Sequence, residues 1–383
     1  MIRRLGTALL IPLLASCSWF GDAPVEIPAA LVEFESSATI TELWSESTGT
    51  GPDGRYLKLI PALHGSAIYA VDTKGRVRAL AQASGKELWK TNLDMEVTSG
   101  VGFGEDLVLV ASRKGVVVAL EPGKGQVLWR AQVASEVLAP PAAESGVVVV
   151  QSVDGQLTGL AAANGKRLWS VNRSEPALSL RGTATPVIVA GAVLTGFASG
   201  KVLAVGLQNG RVLWETPVAQ PQGRSEIERL IDVDVPILVV GRMLLAAAYQ
   251  GKIVAVDMEG GRLLWSREIS THSALAADNS NAYVSDARGS VIALDLRTGA
   301  TVWKQEKLTL RRLSAPAVAG SSVAVADFEG YVHWLAREDG RFLARTRVAR
   351  AAVLAAPVAS GATLFVSTQN GYLAALRLDA RKP

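Results

Sequence analysis

A repeat built on two glycines and a tryptophan runs through most of this chain. One glycine opens an apolar stretch, a second glycine follows ten residues later, and a tryptophan stands four residues after that. The first glycines are Gly75, Gly115, Gly155, Gly200, Gly251, Gly289, Gly330 and Gly371. The tryptophans are Trp89, Trp129, Trp169, Trp214, Trp265 and Trp303, and Ala344 takes that place in the seventh copy. A repeat length of about 40 residues is typical of propeller blades.

Each repeat contains four short apolar runs separated by turn residues. In the seventh copy these runs are 315–318, 322–326, 331–335 and 341–343. Glycine and Asp or Asn stand between them, as hairpin turns require. The sequence therefore predicts an all-β fold, an eight-bladed β-propeller of four-stranded antiparallel blades.

The two ends of the chain predict how the ring closes. The copy that begins at Gly371 ends before a fourth strand is complete, whereas residues 39–44 resemble a fourth strand with no blade before them. We therefore expect this N-terminal strand to pair with the last blade, which removes two open edges. The recurrent tryptophan is expected to pack between neighbouring blades, because ligand sites are few and break symmetry. Ala344 is expected to loosen one junction.

The N-terminus has the features of an exported lipoprotein. Arg3 and Arg4 precede an apolar stretch that is too short to span a bilayer, as in a secretory leader. Residues 14–17, Leu-Ala-Ser-Cys, resemble the lipobox of bacterial lipoproteins, and Cys17 is the only cysteine. We expect a signal peptide at 1–16, a lipidated cysteine and flexible tether at 17–38, and the propeller at 39–383. Ser18 after the cysteine implies sorting to the outer membrane, facing the periplasm.

The sequence shows little that indicates catalysis. A formal charge of +4 gives no reason to expect nucleic acid. The histidines His64, His272 and His333 lie in different repeats without metal-ligand spacing. The stretch 100–104, Gly-Val-Gly-Phe-Gly, resembles the start of a dinucleotide-binding loop, but Glu105 stands where the third glycine of that motif belongs. We therefore interpret the stretch as a turn. We predict no catalytic residue, no metal and no cofactor.

Function is expected where the repeat is interrupted. The spacing of the first glycines is 38 to 41 residues in most copies but 45 and 51 around two insertions, after Trp169 and after Trp214. Both follow an outermost strand, so they are expected on one rim in adjacent blades. The candidate binding residues are Leu178, Leu180, Arg181, Asp232 and Asp234. The alternative is a pair of solvated loops in which Arg181 pairs with Asp232 or Asp234.

Two families share features with this chain. Blades that end in Gly-x-x-Leu-Trp resemble those of quinoprotein dehydrogenases, which bind pyrroloquinoline quinone (PQQ) and calcium. The vicinal cysteine pair of those enzymes is absent here. The lipobox, the eight blades and the strings at 178–182 and 225–234 resemble the BamB family, the propeller lipoproteins of the outer-membrane β-barrel assembly (BAM) machinery.

The second resemblance implies a function. It covers essentially the whole mature chain, and it implies that Leu178, Leu180, Arg181, Asp232 and Asp234 dock the periplasmic domains of the barrel-forming subunit. The implied role is a noncatalytic scaffold that assists insertion of β-barrel proteins into the outer membrane, with unfolded outer-membrane proteins as further partners. The alternative is a PQQ dehydrogenase-like enzyme. A lectin-like module, based on Tyr331 or Tyr372, has less support.

Overall fold

The computed structural model describes residues 26–174, 176, 182–219, 233 and 235–381. Within them every regular element is a β-strand, and the strands form eight four-stranded antiparallel sheets. The first strands of neighbouring blades contact each other from blade five around the ring to blade four, including those of blades eight and one. The sheets are thus arranged in a ring with the first strands at the axis. The predicted eight-bladed propeller is confirmed.

The strand bounds follow the repeat closely. In blades one to four they are β2 (Ala62–His64), β3 (Ala67–Val71), β4 (Arg76–Ala81), β5 (Glu87–Asn92); β6 (Gly102–Gly104), β7 (Leu107–Ala111), β8 (Val116–Leu120), β9 (Val127–Gln132); β10 (Ala142–Glu144), β11 (Val147–Gln151), β12 (Gln156–Ala161), β13 (Arg167–Asn172); β14 (Val187–Val189), β15 (Ala192–Phe197), β16 (Lys201–Gly206), β17 (Val212–Pro217). In blades five to eight they are β18 (Leu238–Val240), β19 (Met243–Ala247), β20 (Ile253–Asp257), β21 (Leu263–Arg267); β22 (Ala276–Ala277), β23 (Asn281–Ser285), β24 (Val291–Asp295), β25 (Thr301–Gln305); β26 (Ala317–Ala319), β27 (Ser322–Ala326), β28 (Tyr331–Ala336), β29 (Phe342–Arg347); β30 (Val358–Ser360), β31 (Thr363–Ser367), β32 (Tyr372–Ala380) and β1 (Ala38–Ser47).

The N-terminal strand closes the ring. β1 lies antiparallel to β32, with Ala38 opposite Ala380 and Ser47 opposite Tyr372, and the register shifts between Glu42 and Trp44. Blade eight therefore takes three strands from the end of the chain and its outer strand from the beginning, as predicted. This arrangement ties the two ends together and covers the edge of β32.

The repeat tryptophans connect each blade to the next through a contact with a repeat glycine, which we call the Gly–Trp latch. The indole Nε1 of Trp129 in blade two donates a 2.7 Å hydrogen bond to the carbonyl of Ala162 in blade three. The ring lies against Gly165, whose φ is +73° and whose missing Cβ would stand 2.6 Å from Trp129 Cε3. The second glycine of one repeat and the tryptophan of the preceding repeat thus form one contact, because glycine leaves room for the indole ring and adopts the positive φ of the turn.

The same latch recurs around most of the ring. The donor–acceptor pairs at the other junctions are Trp44–Gln82, Trp89–Pro122, Trp169–Leu207, Trp214–Met258, Trp265–Leu296 and Trp303–Arg337. The tryptophans therefore pack between neighbouring blades, as the sequence predicts.

Blade seven keeps the tryptophan but moves it to the neighbouring strand. In the other blades the repeat tryptophan stands opposite a small residue of the third strand, for example Ala119 opposite Trp129. In blade seven the pair is reversed, with Trp334 on β28 opposite Ala344 on β29. Trp334 is fully buried in the cluster between blades seven and eight. The indole missing at Ala344 is therefore supplied by the opposite strand, but among the described residues it lacks the hydrogen bond of the other junctions, and the expectation that Ala344 loosens this junction stays a prediction.

Candidate protein-interaction face

The antiparallel order of the strands gives the propeller two distinct faces. We call one the loop face. It carries the loops that join each outer strand to the next blade, 48–61, 93–101, 133–141, 268–275, 306–316 and 348–357, together with the turns between second and third strands, such as 72–75. The opposite face, the turn face, carries the remaining hairpin turns, including those that hold the Gly–Trp latches. All long connections thus lie on the loop face.

Both insertions begin and end on the loop face. The amide of Arg173 donates to the carbonyl of Gly155, and the amide of Val218 donates to that of Gly200, both in second-to-third-strand turns. Val233 N donates to the carbonyl of Phe197 at the far end of the second insertion. The described ends of the two insertions therefore lie on one face in adjacent blades, as predicted. Leu178, Leu180, Arg181, Asp232 and Asp234 themselves lie outside the described residues, so their juxtaposition stays a prediction.

An apolar depression lies beside these insertion ends. It is lined by Tyr56 and Ile60 from the 48–61 loop, by Pro140 from the 133–141 loop, and by Gly182 and Pro236, which follow the two insertions. Tyr56 is 58% exposed. A partly apolar hollow rimmed by longer loops is the form of surface on which protein partners commonly anchor an aromatic or aliphatic side chain.

The 48–61 loop reaches across the mouth of the propeller. The carbonyl of Gly51 accepts hydrogen bonds from the amide and hydroxyl of Thr73 in blade one. Further along, Lys58 Nζ donates 2.8 Å to the carbonyl of His272, in the loop before blade six. The loop therefore bridges distant blades and holds Tyr56 over the centre of the face.

Sequence reasoning missed the 48–61 loop, although the signal was present. Trp44 and Gly75 are 31 residues apart, the same interval as from Trp169 to Gly200 around the first insertion. The regular intervals between a repeat tryptophan and the next first glycine are 24 to 27 residues. Counting from glycine to glycine begins at Gly75 and so hides this third long connection.

A cluster of ionisable side chains at blade seven has a buried centre. His333 and Asp327 are inaccessible to solvent and lie 3.0 Å apart, Nε2 to Oδ2. The guanidinium of Arg311 donates to Asp327 at 2.7 Å and also to Glu329. Burial raises the pKa of Asp327, but hydrogen bonds from His333 and Arg311 outweigh it, so the pKa of this carboxyl is lowered. Burial lowers the pKa of His333, which favours the neutral imidazole.

These groups connect the 306–316 loop to β28, since Asp327 contacts both Arg311 and His333. The other two histidines lie elsewhere: His64 stacks on Phe103, and His272 lies in the 268–275 loop. In the part of the chain that the structure describes, no group of three or more His, Cys, Asp or Glu is placed to hold a metal ion. Over the same residues, no helix has the length and apolar character needed to cross a membrane. Cys17 lies outside this range.

A family model described as outer membrane protein assembly factor BamB matches residues 73–305, more than half of the chain. The chain belongs to the BamB family. The BamB of Pseudomonas aeruginosa is 50% identical to it over 376 residues, which cover 98% of this chain and 99% of that protein. The crystal structure of BamB from Moraxella catarrhalis superposes with a TM-score of 0.82 at 27% identity, over 88% of this chain and all of that one. The predicted family is confirmed.

The propeller fold extends beyond the BamB family. Quinohemoprotein alcohol dehydrogenase from Comamonas testosteroni matches with a TM-score of 0.69, over 90% of this chain and 77% of that one, but at 13% identity. Such a likeness concerns the fold alone. The dehydrogenase alternative is therefore not favoured, whereas the BamB relatives match this chain from end to end.

Proposed function

We propose that this protein is a noncatalytic scaffold subunit of the outer-membrane protein assembly machinery. In this proposal it is lipid-anchored through Cys17, faces the periplasm, and docks the periplasmic domains of the barrel-forming subunit. The observation that carries the proposal is the full-length similarity to BamB, named as an outer membrane protein assembly factor. Its loop face also offers a large irregular surface for a protein partner.

The proposed docking residues are Leu178, Leu180, Arg181, Asp232 and Asp234. The ends of both insertions on one face, in adjacent blades, support this set. Val233 and Val235, the described residues next to the two aspartates, are buried. The apolar depression next to Gly182 and Pro236 would accept an anchoring side chain.

A charge reversal tests this docking site. We expect wild-type protein to recover a large outer-membrane barrel protein from detergent-solubilised envelopes, and Arg181→Glu to lose it, because a cation at an interface becomes a repelling anion. The double change Leu178→Ala/Arg181→Ala should weaken recovery as well. Arg211→Glu is the matched control, since Arg211 is exposed on the turn face of blade four.

Melting curves separate docking from folding. Equal melting temperatures for Arg181→Glu, Arg211→Glu and wild type, with recovery lost only for Arg181→Glu, would support the site. Recovery retained by Arg181→Glu would argue against these residues. If wild type itself recovered no barrel protein, the scaffold proposal would lose its main support, and binding of pyrroloquinoline quinone with calcium would be tested next.

A second partner class is favoured by the outer strands. The leucine or valine before each repeat tryptophan is exposed on the outermost strand, as at Leu88, Leu128, Leu213 and Val302. These strands pair on one side only. We propose that unfolded outer-membrane proteins add strands to these edges, since edge addition uses main-chain hydrogen bonds and suits β-rich clients. Photo-crosslinking from Leu128 to a client peptide, absent from an interior position such as Val118, would test this.

A further inference from the structure

The chain approaches the propeller along a fixed path before β1 begins. Residues 26–37, which we call the N-terminal clasp, run across blade seven from one face to the other. The amide of Ala29 donates 2.9 Å to the carbonyl of Thr309 in a loop of the loop face. The amide of Ser37 donates 2.9 Å to the carbonyl of Leu343, near the start of β29 at the turn face. The chain therefore reaches the propeller on the loop face, at blades six and seven.

Two arginines fasten this clasp. Arg311, only 3% exposed, donates 3.0 Å to the carbonyl of Ala29 while its other nitrogens bind the carboxylates of blade seven. Arg345 donates 3.0 Å to the carbonyl of Val32 and lies over the ring of Phe34. Phe34 in turn stacks on Phe342, with ring centroids 5.1 Å apart. Cations bound to carbonyls and stacked rings fix the clasp more firmly than backbone contacts alone.

The clasp shortens the part of the chain that is able to span the distance to a membrane. Eight residues lie between Cys17 and Glu26, and the nine residue steps between these two positions span at most about 30 Å when extended. Without the clasp the twelve residues of 26–37 would add about 40 Å. Strands of five or six residues place the two faces about 17–20 Å apart. A tether attached on the loop face would use more than half of its reach merely to pass to the turn face, so it favours the loop face as the side nearer the membrane.

We infer that the loop face, at its blade six and seven rim, is the side of the propeller that faces the lipid surface. This inference rests on the proposed lipid anchor at Cys17. The geometry that carries it is the attachment of the clasp on the loop face next to Thr309. It also places the ends of both insertions on the side of the propeller that lies toward the bilayer.

The surface around this point fits anionic headgroups. Ile27 is 77% exposed where the clasp begins. Lys307, Arg312 and Arg350 are exposed on the neighbouring loops, and the structure gives none of them an ion pair within the described residues. Nearby carboxylates are already paired, Glu26 with Arg288 and Glu329 with Arg311. Uncompensated cations beside an exposed isoleucine are complementary to an anionic interface.

Energy transfer to labelled membranes tests the orientation. Cys17 is the only cysteine of the chain, so in the lipidated protein a new cysteine is the only free thiol for a donor dye. Lys307→Cys marks the loop face and Glu338→Cys marks the turn face near the same blades; both residues are exposed. The full-length protein is reconstituted on vesicles of phosphatidylethanolamine and phosphatidylglycerol that carry a headgroup acceptor. We expect higher transfer from position 307.

A lengthened tether is the internal control. Insertion of about 20 Gly and Ser residues before Glu26 creates a flexible linker without altering the propeller, so the difference between positions 307 and 338 should be lost. Equal transfer in the protein with its native tether, or higher transfer from 338, would overturn the inference while leaving the anchor intact. Failure of the protein to float with the vesicles would instead remove the anchor itself, and with it both the anchoring proposal and this inference.

Discussion

The Gly–Trp latch makes a quantitative prediction at Gly165. Alanine there must adopt a φ of +73°, and its Cβ would stand 2.6 Å from Trp129 Cε3, whereas carbon atoms prefer about 3.5–4.0 Å. The indole must therefore move by about 1 Å, away from its hydrogen bond to Ala162. The positive φ costs about 1–2 kcal/mol, and the overpacking adds about 1–3 kcal/mol. We expect Gly165→Ala to lower the free energy of unfolding by about 2–5 kcal/mol.

Gly146 is the matched control for this change. It lies in the same blade and on the same face, its φ is +79°, and a Cβ there would meet no atom within 4 Å. Gly146→Ala should therefore cost only the backbone strain, about 1–2 kcal/mol. In a Trp129→Ala background, which itself should cost about 3–5 kcal/mol, Gly165→Ala should fall to the cost of Gly146→Ala, because the clash is gone.

Urea denaturation followed by circular dichroism measures all of these variants. The soluble chain without its leader and with Cys17→Ser serves as the reference. The double-mutant cycle isolates the contact between position 165 and the indole, with an expected coupling of about 1–3 kcal/mol. Equal costs for Gly165→Ala and Gly146→Ala, or no coupling to Trp129, would refute the latch as a packing contact.

Further predictions concern blade seven. Trp334→Phe should lower the free energy of unfolding by about 1 kcal/mol less than Trp129→Phe does. Trp334 Nε1 has no hydrogen-bond partner among the described residues, whereas Trp129→Phe removes a hydrogen bond to Ala162. Thermal melting of the two variants measures the difference. His333 has a lowered pKa in the fold, so its contribution is present above the unfolded value of about 6.5 and is lost as the pH falls below it. Stability measured between pH 7.5 and 5 should therefore decline with acidification, and His333→Gln should reduce that slope; an unchanged slope would contradict this role.

Much of the ring was predictable because its determinants are local and repeated. The spacing from Gly155 to Gly165 to Trp169 specifies a turn and a hairpin within blade three and a latch to blade four, and the same spacing has the same result in the other copies that contain it. The same pattern predicted that residues 39–44 close the ring, because an outer strand with the repeat tryptophan but no preceding strands of its own must complete the last blade. Features of this kind can be predicted from the sequence without knowledge of long-range contacts.

The exceptions depended on contacts between distant residues. The stretch 100–104, expected to be a turn, contains the first strand of blade two, β6 (Gly102–Gly104). Its glycines are required by the approach of blade three, because Cβ atoms at both positions would collide with the carbonyls of Pro141 and Ala143. Likewise, the exchange of Trp334 and Ala344 is visible only once β28 and β29 are paired. Neither feature leaves a signal in the repeat spacing.

The latch also explains why the irregular connections share one face. On the turn face, the hairpin between third and fourth strands must present its glycine to the tryptophan of the preceding blade, so its length is the same in all seven copies that contain it. The loop face has no such contact to preserve, and the intervals there vary from 24 to 37 residues. The connections that vary in length therefore lie on the loop face, and a partner-binding surface in this fold arises most readily on that side. The N-terminal clasp joins the same side through Thr309, so the variable loops and the attachment of the chain are constrained together.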